Sequence, residues 1–505
     1  MGRLRALPAS GLAIIAFFAV ALLPRATWPL IDPDVWWHIR AGEEVLQTGR
    51  VPDADSWSLT AFGQPWTSQD WLSNVLLALG HRLGDWGWTL LSLGAAAMVV
   101  TAFAVLWSAV GVCQREAGWF GRVVWFSVAL LLAGPVLGVR VQVVDLLLAA
   151  VVLWLLWRYL VDGQRRWPAF LPLVAVAWVN LHAGWVLLFL FGGALLVGEL
   201  VDRALRRQLS PEPMQPRDLA WLLGCLVVSA AALALNPNGI GIYAYPAYTA
   251  GIGALADFVG EWQRASLDNL FGWLLLGFVL LGVIPTLVLG RRTLRGVDVL
   301  ILLGVTAMSV IAIRFLLITG PIGAAIVAVH LPPALARTSV GHASSPLLAR
   351  LARPRSGALA TVNGSLAVLL LLIGIGLAFV RAMPASQHEE IAREFPVEAV
   401  QWLATHDAGS RIFNKYEWGG YLGLELPDRP IFIDGRADVY GDAVIREYVD
   451  VIGVDDPAAV LDRYEIDHVL YPLETPLAEW LAGQPAWQEA YAEDESGVWI
   501  RKQGS

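Results

Sequence analysis

Residues 31–40 read Ile-Asp-Pro-Asp-Val-Trp-Trp-His-Ile-Arg, a stretch whose two carboxylates, imidazole and guanidinium could hold a cation or exchange a proton. Asp32 followed by Pro33 is how a helix starts, with the carboxylate as N-cap and proline at the first helical position. If the helix runs on, Asp34 and His38 stand four apart and share a face, while Trp36 and Trp37 seat it at a membrane surface. Capping explains Asp32 as well as chemistry does. No structural task explains Asp34, which is therefore the preferred chemical residue, as a base toward an acceptor hydroxyl or as a ligand to a divalent cation such as Mg or Mn.

Further along, Asp145 stands inside the apolar run Val141-Gln142-Val143-Val144-Asp145-Leu146-Leu147-Leu148, where an ionisable group is costly and a functional candidate by default. Arg140, at the outer end of the same helix, is five residues away and poorly placed to neutralise it. Asn180 and His182 sit at the tip of a hairpin between two apolar helices, and a histidine in such a turn is more often structural than a ligand, so His182 enters as a lining residue. Glu261 follows in Asp257-Phe258-Val259-Gly260-Glu261-Trp262-Gln263-Arg264, and Arg314 in Ile311-Ala312-Ile313-Arg314-Phe315-Leu316. A guanidinium in apolar surroundings suits a phosphate head group, which its fork binds with paired hydrogen bonds; the bland alternative is snorkelling to lipid. Carboxylates that hold a cation or take a proton, with an arginine that stabilises charge on a departing phosphate, equip a site for chemistry on a lipid-linked phosphate.

The elements that must position these residues are largely apolar. Of 505 residues 57% are hydrophobic and 15% charged, which excludes a water-soluble enzyme. The net charge of -8 argues against a nucleic-acid partner, which needs a basic surface. Cys113 and Cys225, the two cysteines, cannot make a disulfide framework. Eleven apolar runs long enough for ~30 Å of hydrocarbon lie near 11–31, 86–111, 119–137, 143–161, 168–180, 184–201, 219–235, 270–289, 297–313, 315–336 and 361–380.

Arginine checks that count, because it collects in cytoplasmic loops. With the N-terminus inside, the inner segments hold 17 arginines (3, 5, 115, 122, 165, 166, 203, 206, 207, 217, 291, 292, 295, 337, 350, 353 and 355), and the outer loops before residue 381 hold six (40, 50, 82, 140, 264 and 314). The expected architecture is a polytopic α-helical membrane protein of about eleven helices in the bacterial plasma membrane, N-terminus cytoplasmic, with residues 1–380 as the membrane domain. A first run of this length without a small-x-small cleavage site reads as a retained helix. The outer loop 32–85 carries amphipathic stretches such as 71–77 that lie along the interface. Residues 381–505 read as an extracytoplasmic α/β domain, with strands at 411–414, 431–434, 468–471 and 498–500 and a helix at 397–403.

At these residues the chain resembles the GT-C glycosyltransferases, and within them the catalytic subunits of oligosaccharyltransferases. Asp34-Val35-Trp36-Trp37-His38-Ile39-Arg40 is similar to that family's first-loop run of Asp, two aromatics, His and Arg, whose Asp serves metal and acceptor. Phe258-Val259-Gly260-Glu261-Trp262-Gln263 looks like its external-loop motif, and Arg314 falls where the family holds the lipid-linked phosphate. The segments at 399–403, 411–421 and 429–436 follow the family's succession of helix, signature strand-turn and strand. The resemblance implies a GT-C fold with Asp34, Asp32 and Glu261 catalytic. It implies Asp34, Asp145 and Glu261 around a divalent cation, and Arg314, His38, Arg40, Arg140 and His182 toward the substrates.

The family's Trp-Trp-Asp-Tyr-Gly is here Tyr416-Glu417-Trp418-Gly419-Gly420, sharing only the final glycine, so transfer to asparagine is not the leading expectation. The chain looks closer to bacterial GT-C-type membrane proteins that share Asp-Pro-Asp-x-Trp-Trp-His, Glu-Trp, Trp-Gly-Gly-Tyr and Asp-Gly-Arg. The expected activity is transfer of a sugar from a polyprenyl-phosphate donor to a lipid, glycan or protein acceptor on the outer face. The alternatives are oligosaccharyltransferase-like protein glycosylation, and a non-catalytic transporter or glycan-binding protein with Tyr416, Trp418 and Tyr421 as an aromatic platform.

Overall fold

The computed structural model describes residues 7–502, apart from 115–117, 208, 210–211, 292, 338–345, 349, 354–357, 407–409 and 494. Arg3, Arg5, Arg115, Arg292 and Arg355 of the inner set lie outside the described residues. Among those described, nine helices are long and apolar enough to cross a membrane: Ala9–Ala26, Asp85–Cys113, Trp119–Val136, Val143–Asp162, Ala183–Ala204, Pro216–Leu235, Leu270–Leu289, Ile313–Ala336 and Leu359–Ala382. The protein is thus a multi-pass membrane protein. Two further apolar helices stand where the fifth and ninth runs were expected, but Pro168–Leu181 and Gly296–Ile311 have only 10–17 residues and fall short of the ~20 that span a bilayer. The expected count of eleven crossings is met by length for nine.

The two short helices end alike. His182 (φ -166, ψ 162) and Ala312 (φ -149, ψ 130) are extended, and each opens a single 3-10 turn, Ala183–Trp185 and Ile313–Phe315, that leads into a long span. Non-helical backbone at membrane depth survives only where protein or a cavity satisfies it, and both breaks face the cavity described below. The first span packs on the last: the backbone of Ala19 lies against Gly374, which has no room for a Cβ, and Asn363 Nδ2 donates to Leu7 O at 2.8 Å.

After the first span the chain forms the helix Pro33–Thr48, then the helix Trp71–His81 packed on it. On the latter, Leu76 and Leu79, followed by Leu83 just beyond, are 53%, 46% and 62% exposed. Three and four residues apart, they share one face of the helix and make an exposed apolar stripe.

The C-terminal region forms a sheet of four strands in the order β1-β2-β4-β3: β1 (Ile412–Asn414) runs parallel to β2 (His468–Pro472), and β4 (Ser496–Arg501) runs antiparallel to both β2 and β3 (Trp487–Glu493). The strand expected at 431–434 does not form; Ile431 makes only isolated bridges, to Ser58 and Ile412. The Asn414 side chain takes the place of a ladder there, accepting from Phe432 N at 3.0 Å and donating to Ile433 O at 2.8 Å. β3 alternates too weakly between apolar and polar to be anticipated.

Two glycine-bearing turns bring this region onto the Pro33–Thr48 helix. A Cβ on Gly420 would lie 2.8 Å from Pro33 O and 3.1 Å from Trp37 N, so only glycine allows the backbones to meet. Around it Trp36 packs edge-on against Tyr421 (5.0 Å) and Phe395 (5.5 Å). Arg436, fully buried, pairs with Asp434 at 2.8 Å in its own turn and with Asp55 at 2.7 Å in the segment that follows the Pro33–Thr48 helix. Its guanidinium stacks on Trp57 (3.9 Å) and Trp66 (4.8 Å) of that segment. The Asp-Gly-Arg motif is therefore a clamp between segments far apart in sequence.

Candidate active site

A cavity of about 790 Å³ lies where the two hairpin tips, the Pro33–Thr48 helix and the C-terminal region meet. Asp32, Asp34, His38, Arg140, Asp145, His182, Glu261, Arg314 and Tyr416 all line it. Its lining is of two kinds: Leu187, Leu190, Met308, Phe315 and Ile318 are apolar, and the groups just named are charged or polar.

Four charges form a chain. Asp32 caps its helix, accepting from Asp34 N at 3.0 Å, and also pairs with Arg140. Arg140 Nη1 reaches Glu261 Oε2 at 3.0 Å, and Arg314 Nη1 reaches Glu261 Oε1 at 3.1 Å. The Glu261 turn is held to the Arg314 turn by Ile313 N donating to Gln263 O at 3.0 Å. Trp262 lies under the Arg314 guanidinium at 4.4 Å. Burial would raise the Glu261 carboxyl, but Arg314 and Arg140 together hold it below its ordinary value. Two guanidinium groups converging on one carboxylate mark a place where a phosphate would be equally well received.

Asp34 is different. Its Oδ1 accepts from Trp37 Nε1 at 3.0 Å, and it forms no ion pair among the described residues. Burial, then Asp32 and Glu261, push its carboxyl well above the ordinary value, against the weaker pull of the Trp37 hydrogen bond and Arg140. A carboxyl shifted upward beside a cavity is, once ionised, a stronger base than an ordinary carboxylate. A Cβ on Gly435 would collide with Asp34 Oδ1. Gly435→Ala is accordingly expected to displace Asp34 and slow turnover on the order of 100-fold, since misplacing a reacting group by an ångström costs that much; turnover and thermal stability measured together separate this from misfolding.

His38 and His182 both meet polar partners. His38 Nδ1 lies 2.6 Å from Asn74 Oδ1, and burial lowers its tendency to charge. His182 Nδ1 lies 2.6 Å from Asp145 Oδ2, while Trp178 Nε1 donates to Asp145 Oδ1 at 2.7 Å. Asp145 thus orients the His182 ring into the cavity. Gly184 stands against the Asp145 carboxylate, where no Cβ fits.

The divalent cation expected at Asp34, Asp145 and Glu261 does not find a fitting donor set. Glu261 is engaged by two guanidinium groups and Asp145 by His182 and Trp178. A cation at Asp34 would face Arg140 across Asp32. Among the described residues no three His, Cys, Asp or Glu side chains gather as metal ligands.

Three expected substrate residues lie elsewhere. Arg40 donates to Gly423 O at 2.5 Å and Pro427 O at 3.0 Å and stacks on Trp57 at 4.7 Å, anchoring the C-terminal region. Trp418 and Tyr421 are buried, the former donating to Glu394 O at 3.0 Å, so they are core rather than platform. Tyr416 alone of the three aromatics reaches the cavity.

The cavity also has residues that the sequence did not single out: Gln69, Asp70, Tyr245, Lys415, Glu417 and Asp438. Asp70 stands at the N-cap of the Trp71–His81 helix yet makes no side-chain cap bond. Burial, then Asp70, push Asp438 up to about 7. One signal was available for Asp70: an acid before an amphipathic helix in the same Trp-rich loop.

This arrangement of membrane helices, first-loop helix and C-terminal α/β sheet is the GT-C fold of membrane glycosyltransferases. The chain is similar to the apo oligosaccharyltransferase of Archaeoglobus fulgidus, with a TM-score of 0.50 and 14% identity over 98% of this chain and 74% of that one. It is also similar to apo ArnT of Cupriavidus metallidurans, with a TM-score of 0.50 and 16% identity over 96% and 97% of the two chains. No family model matches the sequence, and no characterised protein matches it by sequence alone.

Proposed function

We propose that the protein is an inverting glycosyltransferase that moves a sugar from a polyprenyl-phosphate carrier to an acceptor at the outer face of a bacterial plasma membrane, with residues 1–380 as the membrane domain and 381–505 outside it. The observation that carries this reading is the convergence of Arg140 and Arg314 on one carboxylate, beside the unpaired Asp34, in a cavity with an apolar wall. In the ligand-free protein Glu261 occupies the place of the donor phosphate. The phosphate displaces it and takes both guanidinium groups, while the polyprenyl chain follows Leu187, Leu190 and Phe315. Asp34 removes a proton from the acceptor, the acceptor attacks the sugar carbon from the side opposite the phosphate, and the charge left on the phosphate is stabilised by Arg140 and Arg314.

The test is binding of polyprenyl phosphate to the full chain in detergent. Arg314→Gln is expected to weaken it on the order of 30-fold, the effect of losing one partner of a buried charged pair, and Arg314→Lys to restore only part, because an ammonium lacks the fork. Unchanged affinity in both variants would remove the phosphate site. Translocation is disfavoured by the helix Val143–Asp162, which bears no charged side chain between Asp145 and Arg158.

A further inference from the structure

A second cavity, of about 440 Å³, lies at the other end of that same helix. It is lined by Trp107, Gly111, Arg122, Arg158 and Asp162, at the ends of the spans Asp85–Cys113, Trp119–Val136 and Val143–Asp162. Asp145 in the first cavity and Arg158 in the second are thirteen positions apart on one helix, about 20 Å at ~1.5 Å per residue. The two cavities therefore sit toward opposite faces of the membrane.

Both guanidinium groups are held in place with capacity to spare. Arg122 Nη2 donates to Gln114 O at 3.1 Å, and its plane lies 5.7 Å from Trp107. Arg158 Nη1 pairs with Asp162 at 3.2 Å, and its plane lies 5.5 Å from each of Trp154 and Trp167. Among the described residues Arg122 Nη1 and Arg158 Nη2 donate to nothing. Among the described residues that line the cavity Asp162 is the one acid against two arginines, so these groups together carry a net positive charge. Gly111 leaves the space open: a Cβ there would come within 3.3 Å of Arg122 Nη1. The tryptophans mark the depth as that of lipid head groups, and basic pockets between helices at that depth recognise anionic lipid head groups.

We propose that this cavity binds the phosphate of an anionic phospholipid in the leaflet opposite the catalytic cavity. The lipid's phosphate lies between Arg122 and Arg158, and its chains run outward along Val112 and Val161. An arginine that merely snorkels to bulk lipid needs neither a second arginine across a cavity nor a glycine that keeps the cavity open.

The experiment is native mass spectrometry of the full chain in mixed micelles of phosphatidylglycerol and phosphatidylcholine. The wild type is expected to retain phosphatidylglycerol selectively. Each of Arg122→Gln and Arg158→Gln should reduce that retention about fivefold, and the double variant should bring it to the phosphatidylcholine level. Gly111→Val, which fills the cavity and keeps both charges, should also lose it, so the result does not hang on a variant that fails to fold. Arg217→Gln, at an exposed arginine, is the control and should retain the lipid. Retention by the double variant, equal loss in the control, or displacement of the lipid by millimolar inorganic phosphate would overturn the assignment.

Discussion

Asp34→Asn is expected to abolish most turnover, by about 10²- to 10⁴-fold, the contribution of a positioned general base, while the protein remains as stable as the wild type or becomes more so. The two halves of this expectation have one cause. Burial, Asp32 and Glu261 hold the Asp34 carboxyl well above its ordinary value, so the native state binds that proton more tightly than the unfolded chain does. The stabilisation from this group is then present below its unfolded pKa and is lost as pH rises through the folded value. Asparagine cannot ionise and escapes that loss. In the wild type, turnover should climb with pH through the same elevated value as the base form is populated, and the residual activity of the variant should lack that limb. Turnover profiles and thermal unfolding across pH check both. A variant that lost activity only in proportion to lost fold would show that Asp34 supports structure instead.

Arg436→Met should be the most damaging single change to stability, by about 3–5 kcal/mol, the cost of breaking a buried ion pair from one side. The arginine is completely buried between Asp434 and Asp55 and stacked on Trp57 and Trp66; removing it leaves two buried carboxylates without a counter-charge. Replacing those carboxylates as well, in Asp55→Asn with Asp434→Asn and Arg436→Met, should recover part of the loss, because a neutral buried cluster avoids the desolvation cost. Hydrogen exchange of residues 431–440 in the three proteins measures this locally. The clamp joins the segment after the Pro33–Thr48 helix to the turn that carries Gly435, so the single variant should also loosen Asp34 and reduce turnover.

Much of this was readable in the sequence because charge in apolar surroundings is conspicuous. Asp145 and Arg314 stood out against leucine and isoleucine, and Glu261 and the Asp-Pro-Asp stretch stood on the same side of the apolar runs. The first cavity gathers all of them. What could not be read was pairing. Asp145 meets His182 from the next hairpin, not Arg140 on its own helix, because two extended residues break the short helices in space and no periodicity announces where. Trp418 and Tyr421 looked like a platform on composition, but Gly420 lets the turn sink against Pro33 and Trp37 and takes both rings into the core. Asp438 stands in the first turn of a helix, where an acid is ordinary; what raises its carboxyl is burial and the approach of Asp70, both supplied by segments distant in sequence.

The central claim is that Arg140 and Arg314 receive a lipid-linked phosphate that Glu261 otherwise replaces, next to Asp34 as base. A structure of the full chain with polyprenyl phosphate bound tests it most directly. The account predicts the phosphate between the two guanidinium groups, Glu261 swung away from both, and the Asp34 carboxylate open to the cavity beside it. A phosphate on the opposite face at Arg122 and Arg158, with Glu261 still closed on Arg140 and Arg314, would contradict it.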